Sequence, residues 1–539
     1  MPAPLPADCF CLATRPWIPV RTLDGEAAVV GLRELFLTAH EIDGLAVTLP
    51  PAASGLLRML CAIAARITGL HEVLANPDDP DATDADATSA WMDLRYNLLK
   101  RADQGFAPKK VHTYLSRYGD RLRLHDSVRP FLQDPRLADE SSSSSGVNKL
   151  VMARPAGNNQ VFFGHYTDAE QVPLASADAA LHLITQLYYG PSGQCTPRTV
   201  AGERFGNSIA GPLRRAMSYH PMGRTLYETL LLGIPAPAAW PQEKGAVEDA
   251  CPWERDELPD PLALPHGPVG PLSALTERHQ HAVLLQPGPD GETVVDATIT
   301  WAFRKSRPSF RDPYLIWDDA KDGQLHARDA KAERSLWRDL DALVLKQRGG
   351  AGRRPPILDG LAGGQIPGNV FRSLRVFAYG FDQDGQTRDR TYFSASTPPL
   401  FALLEASDEP GDNELALGIR EGRESAEKAA WRLETALRKA WRESTSPFAG
   451  DKPGGKEHRG SNGPWPGAAL SAYWPAAEER FWESFHSRDF TNALPASGRL
   501  ALSVYDEVTL PVAGSPRGAR ARENARGLIT SLLGADSGR

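Results

Sequence analysis

No run of 18 uninterrupted apolar residues occurs in the 539-residue sequence, which excludes an ordinary membrane-spanning helix. Cysteine is scarce. Cys9, Cys11, Cys61, Cys195 and Cys251 form an odd, scattered set without CxxC or Cys/His zinc spacing, so neither a disulfide framework nor a metal is expected. The opening MPAPLPADCF lacks the basic segment and apolar core of a signal peptide, and a cytoplasmic location is expected. Catalytic signatures are missing as well. No GxxxxGK[ST] loop is present, and Gly190-Pro191-Ser192-Gly193 is one residue short of the GxSxG elbow. His125-Asp126 has no matching His and Asp set for a phosphohydrolase. His279 and His281 would share one face of a strand but have no third ligand nearby, which favours a structural role. Asp318-Asp319 reads as a solvated turn. A chain this large with no nucleophile, base or metal set reads as a scaffold or recognition subunit, neither an enzyme nor dependent on a cofactor.

What is there describes a globular protein: 41% hydrophobic and 24% charged residues, with a length that calls for two to four domains. The net charge of −7 argues against a surface coated in phosphate contacts. It leaves room for a local basic groove, because net charge says little about one face. Strands are expected at Ala28 to Val30, Ala282 to Leu285 and Val294 to Phe303. Pro51 to Leu70 is a helix with Leu56, Leu60, Ile63 and Ile67 on one buried stripe. Serines 141 to 145 run into Gly146, and residues 138 to 160 read as a long flexible loop carrying Lys149 and Arg154. The apolar segment Leu181 to Tyr189 stops at Gly190-Pro-Ser-Gly-Gln194, and a helix is expected to include Leu213 to Tyr219. Arg304-Lys305-Ser306-Arg307 is a basic cluster beside Trp301 and Phe303.

From about Thr397 the pattern turns helical. Leu415 to Trp441, Tyr473 to Phe485, Arg499 to Thr509 and Ala519 to Leu533 supply four helical segments, with a Gly/Pro-rich linker from Ser446 to Gly467. The fold class expected is α+β: a large mixed domain with β-hairpins and loops over residues 1–396, then a four-helix bundle over 397–539.

Asn369 to Ser394 organises the rest. Leu374, Val376 and Ala378 alternate with Arg375, Phe377 and Tyr379, the period of a strand. Asp384-Gly385 is a hairpin-turn signal, because glycine accepts positive φ, and Thr387 to Ser394 returns as a second strand. Gln383 then stands at the tip, with Gln386 just beyond. Taken locally this is an ordinary surface hairpin. The sharper reading is a finger aimed at something polar, such as a DNA base step.

Trp17-Ile18-Pro19-Val20-Arg21, a Gly-containing turn and a short helix reaching Leu49-Pro50 resemble the large subunit, the CasA family, of the type I-E CRISPR surveillance complex Cascade. The likeness continues in order through the serine-rich loop, the glycine-bearing loop at Gly190 to Gln194, the Gln383 hairpin and the C-terminal helices. It implies a non-catalytic subunit that recognises the protospacer-adjacent motif (PAM) in double-stranded DNA. Guide-RNA pairing reads the remaining sequence. The implied partners are other Cascade subunits, the guide RNA, duplex target DNA and a helicase–nuclease, with no membrane. By the same resemblance, Ser192, Gly193 and Gln194 approach the minor groove, Gln383 (or Gln386 in another turn register) is a wedge, and Asn148, Lys149 and Arg154 contact RNA or a subunit.

Two departures stand out. Family members place a lysine on a hairpin reaching the PAM, whereas Ala297 to Thr300 has none, which leaves Arg304 or Lys305 for that place. The cysteine-rich insertion is also missing at Pro287 to Gly291. A scaffold without a nucleic-acid role stays open as the alternative.

Overall fold

The computed structural model describes residues 10–72, 84–156, 165–167, 169–241, 248–319, 323–345, 352–361, 363–383, 389–400, 414–445 and 463–534. Two compact units are formed: Met1–Leu336 with Lys346–Ala402, and Trp337–Leu345 with Leu403–Arg539.

In the first unit the helix Pro50–Thr68 is the centre of the core. Prolines open it where their missing N–H is harmless, and Gly69, at φ 90°, closes it by donating to the Ala65 carbonyl. Every one of its residues except Arg66 is buried, so the single stripe read from the sequence understates its burial. Gly55 permits close packing on the helix Ser176–Tyr189. A Cβ there would lie 2.6 Å from Ile184 and 2.8 Å from the Tyr188 ring. Arg58 is buried in this helix because Asp312 meets it at 2.8 Å and also takes Arg278 at 3.0 Å. Burial alone would raise the Asp312 pKa, but the two guanidiniums outweigh it and hold the carboxyl below its usual range.

Small antiparallel sheets surround this core. At the N-terminus, Ile18–Thr22 lies between Ala27–Val30 and Ile42–Leu45, and the buried Trp17 indole donates to the Leu12 carbonyl at 3.0 Å. The strand Arg375–Gln383 lies between Asp389–Ser396 and Ser218–Met222. Hence Leu213 to Tyr219 is turn and strand, not the helix expected: Tyr219 pairs with Ala378 across the sheet and is fully buried there. Gly193–Val200 and Glu203–Ser208 form a hairpin. Its turn is Ala201 and Gly202, both at positive φ, as a two-residue loop matched to strand twist requires. The sheet Leu174–Ala175, Thr293–Trp301 and His281–Pro287 supports that hairpin, with Thr300 Oγ1 donating to the Thr196 carbonyl at 2.6 Å.

The serine-rich region differs from the loop expected. Leu137–Glu140 and Val147–Leu150 are helical turns. Ser145 accepts from the Ile299 N–H at 2.9 Å and lies 2.6 Å from Thr196 Oγ1. A neighbouring strand edge therefore fixes its last serine. Residues 157–160 lie outside the described residues.

In the second unit the helix Glu414–Thr445 packs along Trp465–Ser487, Ala493–Thr509 and Pro516–Thr530. Leu433 and Leu437 of the long helix, Phe481 and Phe485 of the second, Tyr505 and Ile529 are buried. A detached piece, Trp337–Leu345, joins this unit. Trp337 packs 4.7 Å from the Phe481 ring, and Asp341 accepts from Arg423 at 2.8 Å.

Candidate nucleic-acid interface

Two glycines shape the loop that leaves the helix Ser176–Tyr189, and they act differently. Gly190 is a packing position, because a Cβ would lie 2.5 Å from the Gln186 carbonyl and 2.6 Å from the His281 ring. Gly193 has φ +113° with nothing within 4 Å of a Cβ, so only backbone conformation requires glycine there. Pro191, Ser192, Gly193 and Gln194 are all exposed. Beneath them, His281 Nε2 meets the Pro191 carbonyl at 2.9 Å. A carbonyl only accepts, which places the ring proton on Nε2. Burial lowers the His281 pKa to about 4, so the ring supporting the loop is neutral.

The Gln383 strand runs further than its sequence pattern suggests. Phe381 and Asp382 are buried, Asp382 accepts from the Ala332 N–H at 2.9 Å, and Gln383 pairs with Asp389. Gln383 is thus the last strand residue, not the turn tip expected. Asp384 and Gly385, expected as the turn, and Gln386 lie outside the described residues.

Arg214 joins the two features. Its Nε donates to Gln383 Oε1 at 2.9 Å, its Nη1 donates to the Tyr189 carbonyl at 2.9 Å, and its guanidinium lies 4.6 Å from the Phe381 ring centroid. The backbone before Arg214 is held by the same loop. Gly211 N–H donates to the Gly190 carbonyl and Leu213 N–H to the Tyr188 carbonyl, each at 2.9 Å. Gln383 and the residues that lead into Gly193 are therefore bound to one guanidinium. Sequence reading missed Arg214, which lies 169 residues from Gln383 inside a stretch read as helix.

The remaining candidates divide. Arg304 is half-buried, 4.0 Å over the Phe205 ring, and donates to the Asn207 carbonyl at 3.3 Å. Asn207 is the cross-strand partner of Gln194. Lys305 is exposed and Lys149 partly so, and Gln186 Nε2 donates to the Lys149 carbonyl at 3.0 Å. The charges of Lys149 and Arg304 both reach the Cys195 thiol, whose pKa burial nonetheless raises. Lys149 and Arg214 both reach His281. A local basic cluster thus surrounds the start of the glycine hairpin despite the acidic total. Asn148 and Arg154, by contrast, are turned inward. Asn148 donates to the Thr167 carbonyl at 2.9 Å, and Arg154 donates to the Val172 carbonyl at 2.8 Å and covers the Tyr166 ring. Both are buried, which leaves Lys149 as the accessible member of that expected contact segment.

Among the described residues no group of three or more His, Cys, Asp or Glu is placed to hold a metal. His279 packs edge-on to Tyr188 at 5.1 Å, and burial, with Arg307 and His281, lowers its pKa to about 3. Nor is any described helix long and apolar enough to cross a membrane.

An exposed backbone loop, an amide held by Arg214 and nearby cations thus share one region of a mixed α+β body. The family model for CRISPR-associated protein Cse1 matches residues 12–500, and the chain belongs to that family. The CRISPR-associated protein CasA/Cse1 of Thermus thermophilus is 29% identical over 343 residues, 63% of this chain and 61% of the relative. That alignment spans about three fifths of the relative's length. A solved chain of a CRISPR RNA-guided surveillance complex is 39% identical, covers 97% of this chain and 99% of its own, and superposes with a TM-score of 0.84. The pre-nicking form of such a complex gives 39% identity, coverage of 98% and 99%, and a TM-score of 0.78. The solved Thermus thermophilus CasA, at 19% identity with coverage of 97% and 99% and a TM-score of 0.71, shares the fold.

Proposed function

We propose that this chain is the non-catalytic large subunit of a type I-E Cascade complex, recognising the PAM in duplex DNA and starting strand separation. Family membership and likeness to a surveillance-complex chain support the assembly role. One observation carries the DNA role: Arg214 holds the Gln383 amide and the base of the exposed Gly193 loop together.

In this reading Ser192, Gly193 and Gln194 enter the minor groove, where a loop lacking side-chain bulk reaches the base edges. The minor groove distinguishes base pairs poorly, so recognition is permissive. Gln383 separates the first base pair beside the PAM, an unstacking that costs a few kcal/mol and nucleates the guide–target hybrid. Arg304 and Lys305 contact phosphates, and Lys149 meets guide RNA or a neighbouring subunit. Residues 1–396 act as the mixed domain and residues 397–539 as a four-helix bundle, and the subunit offers a docking surface to the helicase–nuclease.

The test is a gel shift of the assembled complex on PAM-containing and PAM-scrambled duplexes, with permanganate footprinting of the opened strands. Tighter binding to the PAM duplex, with Gln383→Ala weakening opening more than capture, is the expected result. Equal binding to both duplexes removes PAM reading and favours the scaffold alternative.

A further inference from the structure

We infer that Arg214 is a positioning residue that sets which end of the Gln383 amide is presented outward. This inference rests on the wedge reading above. A guanidinium carries only donors, so the amide atom 2.9 Å from Arg214 Nε is necessarily the oxygen. The Gln383 NH2 group is then directed away from Arg214. The guanidinium has little freedom to release the oxygen. It is also bonded to the Tyr189 carbonyl at 2.9 Å, lies over Phe381 and is 4% exposed. Tyr189 ends a buried helix, so this anchor does not depend on Gln383.

The orientation has a chemical consequence. Left alone, a glutamine presents either a donor or an acceptor. Held through its oxygen, Gln383 presents donors. Minor-groove edges of all base pairs carry acceptors, and only guanine adds a donor. An amide locked with its NH2 outward therefore suits any base pair, which lets the hairpin open strands without choosing sequence. The same guanidinium ties the hairpin to the glycine loop, so the element that reads and the element that opens keep one spacing.

Gln383→Glu separates the two parts of this inference. A carboxylate keeps the bond to Arg214, now charge-assisted, and loses the NH2. Arg214→Met keeps the NH2 and loses the orientation. Both variants, Gln383→Ala and the Arg214→Met/Gln383→Ala double variant are prepared as full chains in the assembled complex. 2-Aminopurine at the first pair beside the PAM reports opening, and a gel shift reports capture. Gln383→Glu is expected to lose opening as fully as Gln383→Ala, about tenfold, with thermal stability retained. Arg214→Met is expected to lose a similar amount and to add nothing in the Gln383→Ala background, the non-additivity of groups acting as one.

Wild-type opening by Gln383→Glu overturns the inference, as does additivity of Arg214→Met with Gln383→Ala. Should buried Arg214→Met fail to fold, Arg214→Gln, whose amide can donate or accept and so no longer fixes Gln383, takes its place in the single and double variants. Unchanged opening in Gln383→Ala removes the wedge reading itself, and the inference with it. A defective Gln383→Ala beside a wild-type Gln383→Glu removes the inference only.

Discussion

The first unit contains two guanidinium-centred networks built from the same chemistry, one sealed and one open at an edge. In the sealed network Arg58 and Asp312 are each 1% exposed, and Arg278, Ser218 and Tyr314 complete the bonding. In the other, Arg214 is just as firmly held, yet its partners lead to the exposed Gly193 loop on one side and to the half-buried Gln383 on the other. The difference teaches what each network is for. Where the charged groups pair only with one another inside the core, the arrangement fixes packing. Where the last residue of the network reaches solvent, rigidity is delivered to a surface.

Asp312→Ala should give the largest effect on this contrast. It leaves two guanidiniums facing each other in the core, and breaking a buried pair this way costs about 3–5 kcal/mol. Urea denaturation checks it. A loss below about 1 kcal/mol would mean that the sealed network is not structural. Next come the two glycines. Gly190→Ala places a Cβ against a backbone carbonyl and a buried ring, and overpacking of that kind costs about 1–3 kcal/mol. Gly193→Ala meets no atom and costs only the strain of its positive φ, about 1–2 kcal/mol. Thermal unfolding should rank Gly190→Ala as the more damaging, whereas duplex binding should suffer in Gly193→Ala even at temperatures where it is fully folded. The reverse ranking breaks the division between packing glycine and presenting glycine.

Acid should weaken the support beneath the exposed loop. Burial lowers the pKa values of His281 and His125 to about 4, against about 6.5 in the unfolded chain. Between those values the unfolded chain takes up protons that the folded chain refuses. The contribution of each histidine is therefore complete above about pH 6.5 and is lost as the pH falls toward about 4, at about 1.4 kcal/mol per pH unit. Stability measured from pH 7 to pH 5 should fall accordingly, and His125→Gln should flatten the slope by about one proton's worth. A flat profile would show these rings to be more hydrated than their enclosure suggests.

Much of the scaffold was legible because local chemistry and tertiary environment agree. Pro51 to Leu70 was read almost to its observed bounds of Pro50–Thr68, since prolines and a terminal glycine mark its ends. Its full burial was not legible, because Ser54 and Arg58 look like a solvent face until His220 and Asp312 arrive from elsewhere in the chain. The helix Trp465–Ser487 starts earlier than expected because Pro464 and Pro466 read as linker, although proline suits a first helical turn. In the candidate site, the turn signals located the Gly193 loop and the Gln383 hairpin, but placed Gln383 in the turn, whereas it pairs with Asp389 as a strand residue. Arg214 was not legible, because a bond across 169 residues leaves no periodic trace. Asn148 and Arg154 looked available on composition alone and are absorbed by the Thr167 and Val172 carbonyls.

The smallest stability change should come from the cations at the open edge. Lys305 is exposed and Lys149 partly so, and surface substitutions of this kind stay within about 0.5 kcal/mol. If Lys305 touches a phosphate, as proposed, Lys305→Ala should leave unfolding unchanged while reducing the salt dependence of duplex binding. Releasing one neutralised phosphate makes the slope of log K against log salt shallower by about 0.9. Lys149→Ala, assigned to RNA or a subunit, should leave that slope alone and weaken assembly of the complex instead. A salt titration on the two assembled variants therefore separates the lysines without disturbing the fold. Were both to change the DNA slope equally, Lys149 would belong to the DNA face, and the open edge of the Arg214 network would be broader than the glycine loop and the Gln383 strand alone.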